Sequence, residues 1–418
     1  MAHLKTRIIT VTGTKGKTSV VRLLHHALQG LVQTPLLAVD THRIVLGNEE
    51  ISTFTQSKET SGLVPTICPG RFLLSLANSK TPIAVLGSSV GSSQEPGLGY
   101  REHEIGIFTN VYDDHMGVKE YLGSRKDLAR AKSFVFKCIK KGGFAIFNAD
   151  DDLVRSQLNA IDRSNNIKTI ACTLNDEKRL DIPIDFVVTL CGENIVIRQG
   201  SRTKVSIPVD SMPWMYGGNH KPTLYDGLSV LAALWAFCRA DAKLFRFAAQ
   251  TLEDYLPDET GGRVVVKTAH KGTTVIIDFA HEAESLKHIA NFARQLATKG
   301  RIIWVVRLSG GRPDTHIMST TERFAPNYDE LIIYEKTNFQ DRSYKRLNRK
   351  PGDMSELKQK TVAKIGIKST VVLDETSALK LAERIAGSED VVVYVINSSV
   401  GNYEFVNNIF HFKENENK

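Results

Sequence analysis

Residues 13–19 read GTKGKTS, a run of glycines, lysines and hydroxyls. That mixture suits phosphate chemistry. Glycine lets a backbone approach an anion, a lysine reaches its charge, and a hydroxyl ligates a divalent cation. The spacing is shorter than G-x-x-x-x-G-K-[ST], since Gly13 precedes Gly16 by three positions and Val11 stands where the usual first glycine would. Lys17 is placed for the β- and γ-phosphates of ATP and Thr18 for Mg2+, while Gly13, Thr14, Lys15, Gly16 and Ser19 supply backbone around them. Other residues carry weaker signals. Asp278 closes the apolar run TTVIID, where an acid often accepts hydrogen bonds from ribose hydroxyls. His115, after Asp114, reads on its own more readily as a loop-capping pair, and only its position after a strand favours a metal role. Lys132, among Arg125, Lys126, Arg130 and Lys137, reads as an exposed helical lysine. Asn219 and His220 read as a helix cap.

These residues need a scaffold. RIITVT, residues 7–12, is a β-branched run of the buried-strand kind, and Val20, Leu24, Leu28 and Leu31 follow the loop at helical spacing. Strand, glycine turn and helix start together form an anion cradle. TPIAVLG, EIGIFTNV and FAIFNAD give further strands, and SRKDLARAKSFVFKCI a helix between the last two. This alternation predicts an α/β fold with a doubly wound, parallel sheet. Residues 168–210 read as a β-rich insertion, an antiparallel meander, before the helices in TLYDGLSVLAALWAFCRA and AKLFRFAAQTLEDYL. The β/α alternation restarts after Pro257. The expected division is therefore 1–257, 258–412 and a polar, disordered tail at 413–418.

Composition excludes several classes. The 418 residues, 42% hydrophobic and 24% charged, describe a soluble globular chain. No apolar run reaches membrane-span length, and MAHLKTRIITVTG lacks a signal peptide's apolar segment. Five scattered cysteines with no CxxC pair predict reduced thiols and a cytoplasmic location. The net charge of +8 fits a nucleotide or other anionic substrate better than nucleic acid, because the basic run RSYKRLNRK lacks regular aromatic interleaving.

The order of motifs resembles the Mur ligase superfamily, and within it the Mur-ligase part of the cyanophycin synthetases. TGTKGKTS resembles the family's TGTxGKTT loop with its shortened spacing. EPGLGYREHEIGIFTNVYDDHMG, KDLARAKSFVF with GGFAIFNADD, GGR with VIIDFAHEAESL, and YEKTNFQDRSYKRLNRKPGDM resemble four further family stretches in the same order. The resemblance implies a central P-loop ATPase domain followed by a smaller Rossmann-like domain. It also implies an ATP-dependent ligase that forms an amide bond through an acyl phosphate. In that scheme Lys17, Lys132 and His115 are catalytic, with Thr18, His115 and Lys132 (as a carbamate) on metal. Asn219, Arg263 and Asp278 contact the nucleotide, and a decayed, nucleotide-binding regulatory or scaffold subunit is the alternative. A P-loop switch or nucleic-acid motor fits poorly beside the second domain's motifs. Because the loop begins at Gly13, no UDP-sugar domain or ATP-grasp portion is expected before it. The expected substrate is an amino acid or peptide. The expected partner is a second copy of the chain or a separate ATP-grasp protein.

The departures are specific. LGSSVGS puts Gly87 where the family carries a glutamate, DYAHNP has become DFAHEA with Glu282 for asparagine, and Lys221 follows Asn219-His220, which resemble the family's HN element.

Overall fold

The structure is a computed structural model. It describes residues 6–32, 34–53, 65–76, 83–93, 97–113, 122–175, 183–257, 264–278, 280, 283–307, 313–335, 348–350, 352–372, 374–396 and 402–413. The chain divides into two compact units, Met1–Leu256 and Pro257–Lys418. Both are α/β, the first built on the larger sheet.

The first unit is built on an 11-stranded sheet. Its centre is β1 (Arg7–Thr12), which pairs in parallel with β5 (Ile83–Gly87) on one side and β6 (His103–Phe108) on the other. β7 (Ile139–Asn148) and β8 (Lys168–Thr173) continue the parallel sheet beyond β6, and β2 (Leu37–Val39) continues it beyond β5. A hairpin, β3 (Arg43–Leu46) and β4 (Glu49–Thr53), closes the β2 edge. The central strands are buried on both faces, which is why they read as continuous apolar runs. α1 (Lys17–Gln29) lays Val20, Val21, Leu24, Ala27 and Leu28 on that sheet, beside the apolar α5 (Lys221–Phe237).

Two expectations need correcting. The segment 168–210 is not a meander throughout, because β9 (Phe186–Cys191) pairs in parallel with β8. Only β10 (Asn194–Gln199) and β11 (Arg202–Pro208) follow antiparallel, through tight turns at Gly192 (φ 59°) and Gly200 (φ 58°). Apolar runs give strands but not their direction. The helix expected over SRKDLARAKSFVFKCI is divided into α2 (Arg125–Lys132) and α3 (Phe134–Lys137) at Ser133, whose hydroxyl donates to the Arg130 carbonyl at 2.7 Å. A short α4 (Asp152–Arg155) follows β7, and α6 (Ala242–Gln250) follows α5.

The second unit has a 6-stranded sheet in the order β12-β13-β17-β14-β15-β16. β12 (Val265–Thr268) is antiparallel to β13 (Thr274–Asp278). β14 (Ile302–Val306), β15 (Glu330–Tyr334), β16 (Lys368–Val372) and β17 (Val391–Val395) run parallel with β13. The helices that matter below are α7 (Ala283–Leu296), α8 (Asp314–Phe324) and α9 (Asp353–Lys364). No helix among the described residues is long and apolar enough to cross a membrane.

Candidate functional site

The GTKGKTS loop leaves β1 at the carboxyl edge of the sheet, between β5 and β6. There the chain order reverses, and open α/β sheets bind ligands at such crevices. Two glycines fix the loop's shape. Gly13 has φ 148°, and a Cβ there would lie 1.9 Å from Thr109 Oγ1. Gly16 has φ 83°, and its Cβ would lie 2.2 Å from Asp226 Oδ1. Only glycine fits at either place. α1 then starts at Gly16 with no side-chain cap and no acid in its first turn. The positive end of the helix favours an anion.

Side chains brace the loop from the β6 end. The Thr14 N–H donates to the Asn110 carbonyl at 2.9 Å, and the Lys15 N–H to Asn110 Oδ1 at 2.8 Å. Thr109 Oγ1 donates to the Lys15 carbonyl at 2.6 Å, and the Tyr112 N–H to Thr14 Oγ1 at 3.1 Å. Lys17 Nζ curls back to the carbonyls of Gly13 (2.8 Å) and Thr14 (3.0 Å), which holds its charge at the loop. Thr18 is buried, its hydroxyl 3.4 Å from Thr41 Oγ1.

Lys132 is not the exposed helical lysine of the plain sequence reading. It is 4% exposed, and its Nζ donates to the Gly13 carbonyl at 2.9 Å, the same oxygen that Lys17 uses. Gly87 ends β5 beside Val11, and a Cβ on it would lie 3.0 Å from the Val39 carbonyl and 3.3 Å from Thr66 Cγ2. Asp150 and Asp151 shape the turn after β7. Asp151 accepts from the Leu153, Val154 and Val111 N–H groups, and Asp150 from Leu174 N–H, Thr173 and Tyr225. His220 stands at the N-cap of α5, its Nδ1 2.6 Å from Thr223 Oγ1, and Asn219 precedes it at the end of a 3-10 turn.

Among the described residues no group of three His, Cys, Asp or Glu could hold a metal ion. His115 and Arg263 lie outside the described residues, as do His281 and Glu282. Asp278 ends β13 at the carboxyl edge of the second sheet. Thr109, Asn110 and Asp226 were missed on sequence. The only available signal was that TN directly follows a strand neighbouring β1.

Several comparisons bear on this geometry. The Mur ligase middle domain matches residues 11–211, and the Mur ligase glutamate ligase domain residues 262–395. The cyanophycin synthetase of Synechocystis is 24% identical over 401 residues, covering 93% of this chain and 42% of that protein. The Nostoc cyanophycin synthetase is 25% identical, covering 92% of this chain and 40% of its own length. The chain thus spans less than half the length of these relatives. Among solved structures, a ligand-free bifunctional folylpolyglutamate synthase/dihydrofolate synthase from Yersinia pestis superposes with a TM-score of 0.62 at 19% identity. That match covers 97% of this chain and 91% of the other. A bifunctional folylpolyglutamate synthase/dihydrofolate synthase with Mn, AMPPNP and L-glutamate bound gives a TM-score of 0.61 at 18% identity, covering 96% of this chain and 89% of that one. With a shortened phosphate loop at the switch point of β1 and both family domains in order, the chain belongs to the Mur ligase family.

Proposed function

We propose that the chain binds ATP at residues 13–19 and uses it to join the carboxylate of one amino acid or peptide to the amine of another. The carboxylate oxygen attacks the γ-phosphorus, ADP leaves, and an acyl phosphate forms. The amine nitrogen then attacks the acyl carbon, phosphate departs, and a proton is lost from nitrogen. Charge develops on the phosphoryl oxygens and then on a tetrahedral centre, so fixed cations are what the reaction requires. The observation that carries this reading is the pair of lysines, Lys17 and Lys132, converging on one loop carbonyl.

In this reading Lys17 grips the β- and γ-phosphates while the α1 N–H groups hold the remaining oxygens. Asn219, Arg263 and Asp278 contact the nucleoside. Mg2+ suits the donors present, since it keeps several waters and binds through one or two protein ligands plus phosphates. Thr18 supplies such a ligand. Lys132 and His115 serve a second cation. The Lys132 bond to Gly13 needs only one hydrogen on Nζ, so a carbamate on that nitrogen keeps it and adds a carboxylate. Bound Mg2+ neutralises charge on the transferred phosphoryl group.

The test is calorimetric. Lys17→Ala removes at least one charge-assisted hydrogen bond to phosphate, worth roughly 1.5–3 kcal/mol, or about tenfold to a hundredfold in ATP affinity. Unchanged affinity in a folded Lys17→Ala protein would refute the phosphate-loop reading.

A further inference from the structure

On α9 two polar groups are buried with nothing to bond. Ser355 and Lys358 are each 1% exposed, and neither Ser355 Oγ nor Lys358 Nζ has a hydrogen-bond partner among the described residues. Three positions apart, they share one helix face, turned inward where α9 packs on β15, β16 and α8. The nearest carboxylate does not answer them. Glu335, directly after β15, accepts the backbone N–H groups of Gly352 and Ser355, both at 2.6 Å, and so caps the start of α9. Among the described residues, Arg307 after β14 and Arg349 before α9 also act on Lys358, both as cations. Burial first, then those two arginines, lower the Lys358 ammonium to about 7 against the opposing pull of Glu335.

A buried donor without an acceptor costs about 1–3 kcal/mol, and a leucine or methionine at 358 would avoid that cost. Two such donors side by side lack the same thing: an oxygen acceptor within bonding reach. On the other side of α9, Arg349 pairs with Asp314 in a cavity of about 530 Å3 that Asp353, Glu356 and Lys360 also line. That cavity runs along the same helix.

We propose that the second unit carries an oxyanion-binding site of its own, where Ser355 Oγ and Lys358 Nζ donate to a carboxylate or phosphate group. The site takes a small anion, free or as the charged end of a larger molecule. It is independent of the nucleotide reading, because none of its residues belongs to the GTKGKTS loop.

The experiment follows the Lys358 side chain itself. In the full chain labelled at lysine 13Cε, the Lys358 resonance is assigned by its loss in Lys358→Met. Its titration is then recorded in inorganic phosphate, in acetate, and in chloride at equal ionic strength. Phosphate, acetate or both should raise the Lys358 midpoint by about one pH unit, a tenfold coupling. Ser355→Ala should shrink that rise while the resonance stays in place. A response to phosphate alone assigns a phosphoryl ligand, and to acetate alone a carboxylate. A midpoint that no anion moves, or that chloride moves equally, overturns the site.

Discussion

Each unit buries a cation, and the two are treated in opposite ways. In the first unit Arg22 of α1 meets Asp40, just after β2, at 2.7 Å, with side chains 6% and 3% exposed. Asp40 also accepts the N–H groups of His42 and Arg43. In the second unit Lys358 is buried at least as deeply, yet the carboxylate near it is bonded to backbone. The cost of desolvation is similar in kind for both. One is offset inside the fold and ties a helix to a sheet edge. The other is offset only when something arrives. A fully matched buried charge marks architecture, and an unmatched one marks a place where a ligand completes the structure.

That contrast can be broken most severely at Asp40. Asp40→Asn leaves Arg22 buried without its counter-charge and should cost about 3–5 kcal/mol in denaturant unfolding. Burial pushes the Asp40 carboxyl up, but the Arg22 charge and hydrogen bond prevail and hold it below the usual carboxylate range. Its contribution is therefore present at neutral pH and lost as the solution is acidified through the folded value. In Asp40→Asn that part of the acid sensitivity should vanish. A loss below about 1 kcal/mol would show that the pair is not structural.

The next effect concerns Lys132, whose bond to Gly13 resembles Arg22–Asp40 in being fully formed. If its role were only to brace the loop, Lys132→Ala would weaken ATP binding and stability together. The proposed function predicts otherwise. Turnover should fall by about 10²–10³-fold while ATP affinity holds. Wild-type activity should rise with bicarbonate, and acetate should partly restore the variant. Wild-type turnover in Lys132→Ala would remove this residue from the catalytic set.

The smallest effect has the opposite sign. Lys358→Met deletes an unmatched donor while keeping a similar shape, and in anion-free buffer it should stabilise the chain by about 1–3 kcal/mol. The folded ammonium titrates near 7, below its unfolded value. The unfolded chain therefore binds more protons in between, and stability should rise with pH from about 7 towards about 10.4. Lys358→Met should flatten that rise. A destabilisation matching Asp40→Asn would erase the distinction between the two units.

Legibility in the sequence followed chain distance. The cradle was readable because strand, glycines, lysine and helix are contiguous in residues 7–29, and local rules govern them. The Lys132–Gly13 bond joins residues 119 apart, and no reading of the sequence pointed to it, since the family resemblance singled out Lys132 only as a metal ligand. Thr109 and Asn110 showed only their place after a strand, since their work depends on β6 lying beside β1. The direction of β9 depends on the connection from β8 rather than on its own residues. Ser355 and Lys358 look like solvated helix residues in sequence, because a lysine's burial is decided by what packs over it.

Gly87 carries a consequence for the engineering of this chain. A glutamate placed there would put its first carbon 3.0 Å from a main-chain oxygen of β2 and 3.3 Å from the Thr66 methyl. A methyl group can be trimmed by substitution, but a strand carbonyl cannot. A side chain at 87 therefore requires β2 to give by a few tenths of an ångström. A designer wanting a carboxylate beside the loop has a freer choice at another strand end.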